Sequence, residues 1–280
     1  MTAKLLIVEG LPGAGKSTTA QQAFDVLKAK GINAELYLEG NFNHPADFDG
    51  VAYFDSEEFK IFEETHSENK NILKIIKIKY FDGYLVPYRK AVEEQHVTFE
   101  NKLFNDIIKN DVYELPIELH IKLILKRWND FATSYLKNNK VIIFESCFIQ
   151  NPITVSMIKN NCSKDITISY INNLANIILP LEPILIYVEQ NSIRESFMKA
   201  VSERTKEWMD GFTDYYTNQG YGLHNNLKGT EGIIEILEAR SIFEKDIYDS
   251  INLKKYKIDN SKFNLELLKE RINSIVDRNF

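Results

Sequence analysis

The chain is poor in cysteine, in net positive charge and in long apolar runs, and each shortage closes off a class of protein. Only Cys147 and Cys162 occur in 280 residues. That is too few for a disulfide framework or a four-thiolate zinc site, and a reducing compartment would leave both as thiols. Lysine and arginine number 34 against 40 aspartate and glutamate, a formal net charge of −6. Broad contact with nucleic acid or an anionic membrane needs a basic surface excess, so neither partner is expected. A small phosphorylated ligand needs only local positive charge. The longest apolar runs, such as Leu5 to Val8 and Val141 to Phe144, have the length of strands and fall far short of a membrane span. Met1 to Lys4 alone precede the first of them, which leaves no room for a leader and sets the expectation of a cytoplasmic protein. The seven prolines are scattered, and there is no repeat or Gly/Ser linker. The chain therefore reads as one domain, residues 1–280.

What is present is a series of short, almost wholly apolar runs: 4–8, 34–38, 140–144, 184–188 and, more weakly, 254–258. Runs without polar alternation mark strands covered on both faces, which points to a parallel sheet. Helical periods separate them. Ala20, Ala23, Phe24 and Leu27 recur at the spacing of a buried stripe, and Gly31 supplies a stop. A second helix is expected over about 117–137, with Ile121, Ile124, Leu125, Trp128 and Ala132 on one side. The expected class is α/β. Residues of about 40–115 break the pattern and read as a helical insertion over the substrate side of the sheet, within which 71–80 fits helix or strand.

The most specific feature is the stretch Gly10-Leu11-Pro12-Gly13-Ala14-Gly15-Lys16-Ser17-Thr18, which follows an apolar strand and opens an amphipathic helix. Glycines 10, 13 and 15 let backbone N–H groups turn inward as an anion nest that continues into the helix N-terminus. Lys16 supplies a charge for the β and γ phosphates, and the Ser17 hydroxyl suits Mg²⁺. The expectation is a triphosphate site, with ATP and Mg²⁺ as cofactors. The loop alone does not name the reaction, because kinases, switches, transporters and motors share it.

Carboxylates and cations elsewhere narrow the choice. Glu145 ends the third apolar run, at the sheet edge where ligands bind in open α/β folds. It reads as a metal-side ligand, as the acceptor of a substrate hydroxyl proton, or as a solvated strand end. Glu39, ending the second run, is the other candidate base, or an ordinary turn residue before Gly40. Glu9 is a further candidate for orienting the metal's water shell. Arg194, Arg204 and Lys206 fall on a helix, turn, helix segment at about 190–225 that reads as a lid over transferring phosphate, or as a solvated face. Arg127, beside Trp128, could grip an acceptor phosphate or pair with a surface carboxylate. His44, Asp47 and Asp49 read as a turn-forming or substrate-facing loop ahead of a metal site. Tyr215, Tyr216 and the run Gln219 to Gly222 read as an aromatic, glycine-rich turn packed on the core.

These residues carry a resemblance. Val8-Glu9-Gly10 through Lys16-Ser17-Thr18 resembles the opening of thymidylate kinases. The order of phosphate loop, Glu39, Arg127, Glu145, Arg194 and Arg204 is similar to that of the P-loop kinases of nucleosides and nucleotides, and the whole chain looks like a bacterial subgroup of them. The resemblance implies a three-layer fold with a parallel five-stranded core in the order 2-3-1-4-5, Mg-ATP as donor and a closing lid. The chain departs from the pattern after Glu145. Thymidylate kinases usually have Asp-Arg-Tyr there and deoxynucleoside kinases Glu-Arg-Ser, whereas this chain has Glu145-Ser146-Cys147. The expected activity is phosphoryl transfer from ATP to a small-molecule acceptor such as a nucleoside, a nucleotide or a similar metabolite. A nucleotide switch acting through a protein partner and an antibiotic phosphotransferase are the alternatives, and a homodimer stays open.

Overall fold

The computed structural model describes residues 3–280. Met1 and Thr2, part of the segment read above as too short for a leader, lie outside the described residues. The chain forms β1 (Leu5–Gly10), α1 (Lys16–Ala29) and β2 (Ala34–Tyr37), then β3 (Ala52–Asp55), α2 (Ser56–Thr65), α3 (Lys70–Ile76), β4 (Ile78–Tyr80) and β5 (Gly83–Val86). It continues through α4 (Tyr88–Glu93), α5 (Asn101–Ile108), α6 (Ile117–Tyr135), β6 (Val141–Glu145), α7 (Gln150–Ile153) and α8 (Lys164–Ile178). The last third holds β7 (Ile184–Glu189), α9 (Ile193–Ser202), α10 (Lys206–Thr217), α11 (Gly220–His224), α12 (Gly229–Ser250), β8 (Lys254–Asp259) and α13 (Leu265–Asn279). Two compact units result, one of the residues up to Glu39 with Trp128–Phe280 and one of Gly40–Arg127.

The first unit is α/β. Its sheet is parallel, with the order β2-β6-β1-β7-β8, which in order of appearance is 2-3-1-4-5. β1 lies at the centre and every one of its residues is buried. Leu6 and Val8 join a cluster with Ala20, Ala23 and Leu27 of α1 and Ile272 and Val276 of α13. On the opposite face Trp128 of α6 packs edge-on to Phe144 of β6, with ring centroids 5.7 Å apart. Coverage of both faces is the reason these strands lack polar alternation.

The second unit corrects the expectation of a helical insertion by adding a sheet to the helices. β3, β5 and β4 form an antiparallel sheet, Ala52 opposite Val86 and Ile78 opposite Leu85. The ambiguous stretch at 71–80 is both structures in turn, helix α3 and then strand β4. These strands are only three or four residues long, too short for a period of two to stand out from a period of 3.6. Their core is aromatic, Phe54, Phe59 and Phe62 packing with Leu73, Leu103 and Ile107. Asp55 begins α2 with a capping box, its side chain accepting from the Glu58 N–H while the Glu58 carboxylate accepts from the Asp55 N–H. His44, Asp47 and Asp49 make contacts within this unit, some of them distant in sequence. His44 Nδ1 accepts from the Ala46 N–H at 3.1 Å, Asp47 accepts from the Phe48 N–H at 2.8 Å, and Asp49 pairs with Arg89 at 2.8 Å.

Candidate functional site

The turn between β1 and α1 is built on left-handed glycine geometry. Gly13 and Gly15 have φ of 85° and 92°, and Gly15 is the N-cap of α1 in the left-handed region. A Cβ on Gly13 would stand 2.7 Å from the Ser196 carbonyl oxygen, and one on Gly15 would stand 2.4 Å from Asn260 Nδ2. Larger residues are therefore disfavoured by backbone conformation at both positions and excluded by space at Gly13, where the neighbour is backbone, whereas at Gly15 the Asn260 amide would have to move. The turn closes through the Ala14 N–H donating to the Leu11 carbonyl at 3.1 Å. Lys16 is buried and its Nζ donates to the same carbonyl at 3.1 Å.

A cavity of about 400 Å³ opens over this turn. Pro12, Gly13, Gly15, Lys16, Ser17 and Thr18 form its floor, whereas Ala14 is buried with its carbonyl turned away to two side-chain amides. Gly10 is buried too, its backbone against the Val188 carbonyl. Glu39 and Glu145 line the cavity as well, with Glu203, Arg204 and Lys199 from α9 and the turn that follows. The two carboxylates differ in environment. Glu145 is buried, and its Oε1 accepts from Ser17 Oγ at 3.3 Å and from Ser146 Oγ at 2.7 Å. Its Oε2 accepts from the Glu39 N–H at 2.9 Å. Glu39 is exposed, and its two carboxylate oxygens accept from Gln150 Nε2 at 3.1 and 3.2 Å.

Of the other expected residues in this unit, Arg204 lines the cavity and Glu9, Arg194 and Lys206 do not. Glu9 is fully buried, with Oε1 accepting from the Phe148 N–H at 2.7 Å and Oε2 from the Gln150 N–H at 2.9 Å. Each of its oxygens accepts from backbone, and Glu9 does not line the cavity. Arg194 makes a bidentate pair with Glu231 of α12 at 2.8 and 2.5 Å and is not part of the cavity wall. Arg204 is on the wall, its guanidinium 4.4 Å from the Trp208 ring centroid. Lys206 is exposed at the start of α10. Arg127 belongs to the second unit, where Nη2 donates to the His44 carbonyl at 2.9 Å and the guanidinium lies 5.0 Å from the Phe48 centroid. Tyr216 and the run after it are helical, not a turn: Tyr216 is buried in α10 and 220–224 form α11.

Several residues escaped the sequence reading. Arg240 and Glu244 of α12 are both fully buried and paired at 2.6 Å. Arg240 also donates to Thr154 Oγ1, to the Tyr216 hydroxyl and to the Gln150 carbonyl, so it props the segment that carries Gln150. Spacing of four on a helix was the available signal, but it looks the same for an exposed pair. Gln150 is a neutral amide with no motif around it. Among the described residues, no cluster of three or more His, Cys, Asp or Glu forms a metal cage. Ser17 and Glu145 offer two hard oxygen ligands of the kind Mg²⁺ takes alongside phosphate and water.

No family model matches the chain. A thymidylate kinase of Photobacterium profundum is 62% identical over 32 residues, 11% of this chain and 15% of that protein, so the match spans less than a sixth of the relative's length. The crystal structure of APE1195 aligns over 99% of this chain and 96% of its own at 12% identity, with a TM-score of 0.42. A crystal structure from Chloroflexus aurantiacus j-10-fl aligns over 100% and 98% at 10% identity, with a TM-score of 0.38. No helix among the described residues is long and apolar enough to cross a membrane.

Proposed function

We propose that this protein is a P-loop kinase that transfers the γ-phosphoryl group of Mg-ATP to a hydroxyl or phosphate of a small molecule. The observation that carries the reading is one cavity faced by Lys16, Ser17, Glu39 and Glu145 above a glycine cradle that a Cβ would obstruct. The cradle fits a polyphosphate, because it presents backbone N–H groups and a helix N-terminus to an anion. Ser17 and Glu145, already 3.3 Å apart, would hold Mg²⁺ on that side. When bound, the ion neutralises charge on the phosphoryl oxygens.

The division between the carboxylates follows from their environments. Glu145 is engaged by two hydroxyls and a backbone N–H, which holds it on the Ser17 side. Glu39 has only the Gln150 amide and is open to the cavity, so its carboxylate orients the acceptor hydroxyl and takes its proton. Lys16 swings from the Leu11 carbonyl to the phosphates, and Arg204 adds charge from α9's end of the wall. The short match to a thymidylate kinase supports testing nucleotides first.

Incubation with γ-labelled ATP and pools of nucleosides, nucleotides, sugars and aminoglycosides is expected to move label onto one acceptor. Lys16→Ala is expected to weaken ATP binding about 10- to 100-fold, the worth of one or two charge-assisted hydrogen bonds, and to abolish transfer. Label found only as free phosphate in every pool sinks the assignment.

A further inference from the structure

One backbone carbonyl in the phosphate loop receives two side-chain amides. Asn260 Nδ2 and Gln190 Nε2 each donate to the Ala14 oxygen at 3.0 Å. Gln190 Nε2 also donates to the Asn260 carbonyl at 3.1 Å, and the Asn260 N–H donates to the Glu189 carbonyl at 3.0 Å. Gln190 is the first residue after β7 and Asn260 the first after β8, neighbouring parallel strands whose last pair is Glu189 and Asp259. Two strand ends thus deliver amides to a single point. The orientation of each amide is set by its target, since a reversed amide would put oxygen against oxygen.

The consequence lies on the other side of the peptide. In a trans peptide the C=O and N–H point opposite ways, and no cis bond occurs among the described residues. Holding the Ala14 oxygen away from the cavity turns the Gly15 N–H toward it, and Gly15 lines the cavity while Ala14 does not. We propose that Gln190 and Asn260 are positioning residues that act through the Ala14–Gly15 peptide, keeping the phosphate loop in its anion-binding orientation. The inference rests on the reading of the loop as a triphosphate site. Because both amides serve one acceptor, either can maintain the orientation in part, and their effects should be coupled.

The test is binding of ATP and of inorganic tripolyphosphate, with Mg²⁺, to the full chain by calorimetry. The variants are Asn260→Leu, Gln190→Met and the double substitution, which keep volume and remove the donors. Each single change is expected to raise both dissociation constants about threefold, and the double change about 30-fold, more than the product of the singles. The melting temperature of the ligand-free double variant should fall by no more than the sum of the single changes. A folded double variant with the parent's affinities overturns the clamp and leaves the triphosphate site standing. A parent that binds neither ATP nor tripolyphosphate overturns both. If the double variant does not fold, the singles decide, and parental affinity in both overturns the proposal.

Discussion

Glu9 is fully buried directly ahead of the phosphate loop, and burial pushes its carboxyl up to about 7 in spite of the N–H groups of Gln150 and Phe148. The native state therefore favours the protonated form more than the unfolded chain does. That preference is without effect below the ordinary value of 4.5, where both states are protonated. As pH rises from there toward 7, folding must hold an increasingly ionised carboxyl in the interior, and stability falls by up to about 3 kcal/mol before levelling off. Denaturant midpoints at pH 5 and pH 8 are expected to differ in that direction for the parent and to draw together in Glu9→Gln. An unchanged pH slope in the variant would assign the dependence to other groups. Adjacency to Gly10 was the only sign the sequence gave of Glu9, and the backbone N–H groups that its carboxylate meets come from Phe148 and Gln150, some 140 positions later.

At the scale of elements, α12 carries the sharpest prediction. Its Arg240 and Glu244 are charged residues on the face turned to the core. A buried pair broken on one side leaves an uncompensated charge and costs about 3–5 kcal/mol, while replacing both partners by apolar residues is close to neutral. Arg240→Met is expected to lower the urea midpoint strongly, and Arg240→Met with Glu244→Leu to recover most of the loss. A double variant no more stable than the single would assign the loss to the other partners of the pair, Thr154, Tyr216 and Gln150 on Arg240 and the Tyr187 hydroxyl on Glu244. The central strands of the parallel sheet, β1, β6 and β7, were legible because they are buried almost throughout and so are apolar, whereas the edge strand β8 is partly exposed and gave a weaker run. The glycine-rich turn between β1 and α1 was legible because its glycines are packed into consecutive residues. β3, β4 and β5 were not, being short and partly exposed. The amides of Gln150, Gln190 and Asn260 were not either, because a neutral side chain that works by reaching a distant backbone atom leaves no local pattern.

For the whole molecule, two compact units predict two unfolding events in calorimetry rather than one. Acid should distinguish them. His44 of the second unit is buried, and its desolvation, with Arg127 beside it, lowers its pKa to about 3. A histidine held neutral contributes stability that is complete above its ordinary 6.5 and is lost as pH falls from there toward 3. Asp111 of the same unit, pushed up to about 6 by burial, offsets part of that loss as it protonates. The Gly40–Arg127 transition is expected to move down between pH 6.5 and 4.5, and His44→Leu to reduce that movement. A shift of equal size in the variant would place the sensitivity elsewhere.

Ala14 and Asn260 stand 246 positions apart in the chain, yet the space beside Gly15 admits the Asn260 amide only because residue 15 has no side chain. Among descendants of this chain, a change at 260 to a smaller residue relaxes the steric demand at 15 but not the conformational one, so glycine should persist there after its partner has drifted. Covariation should appear instead between 190 and 260, where either amide can stand in for the other.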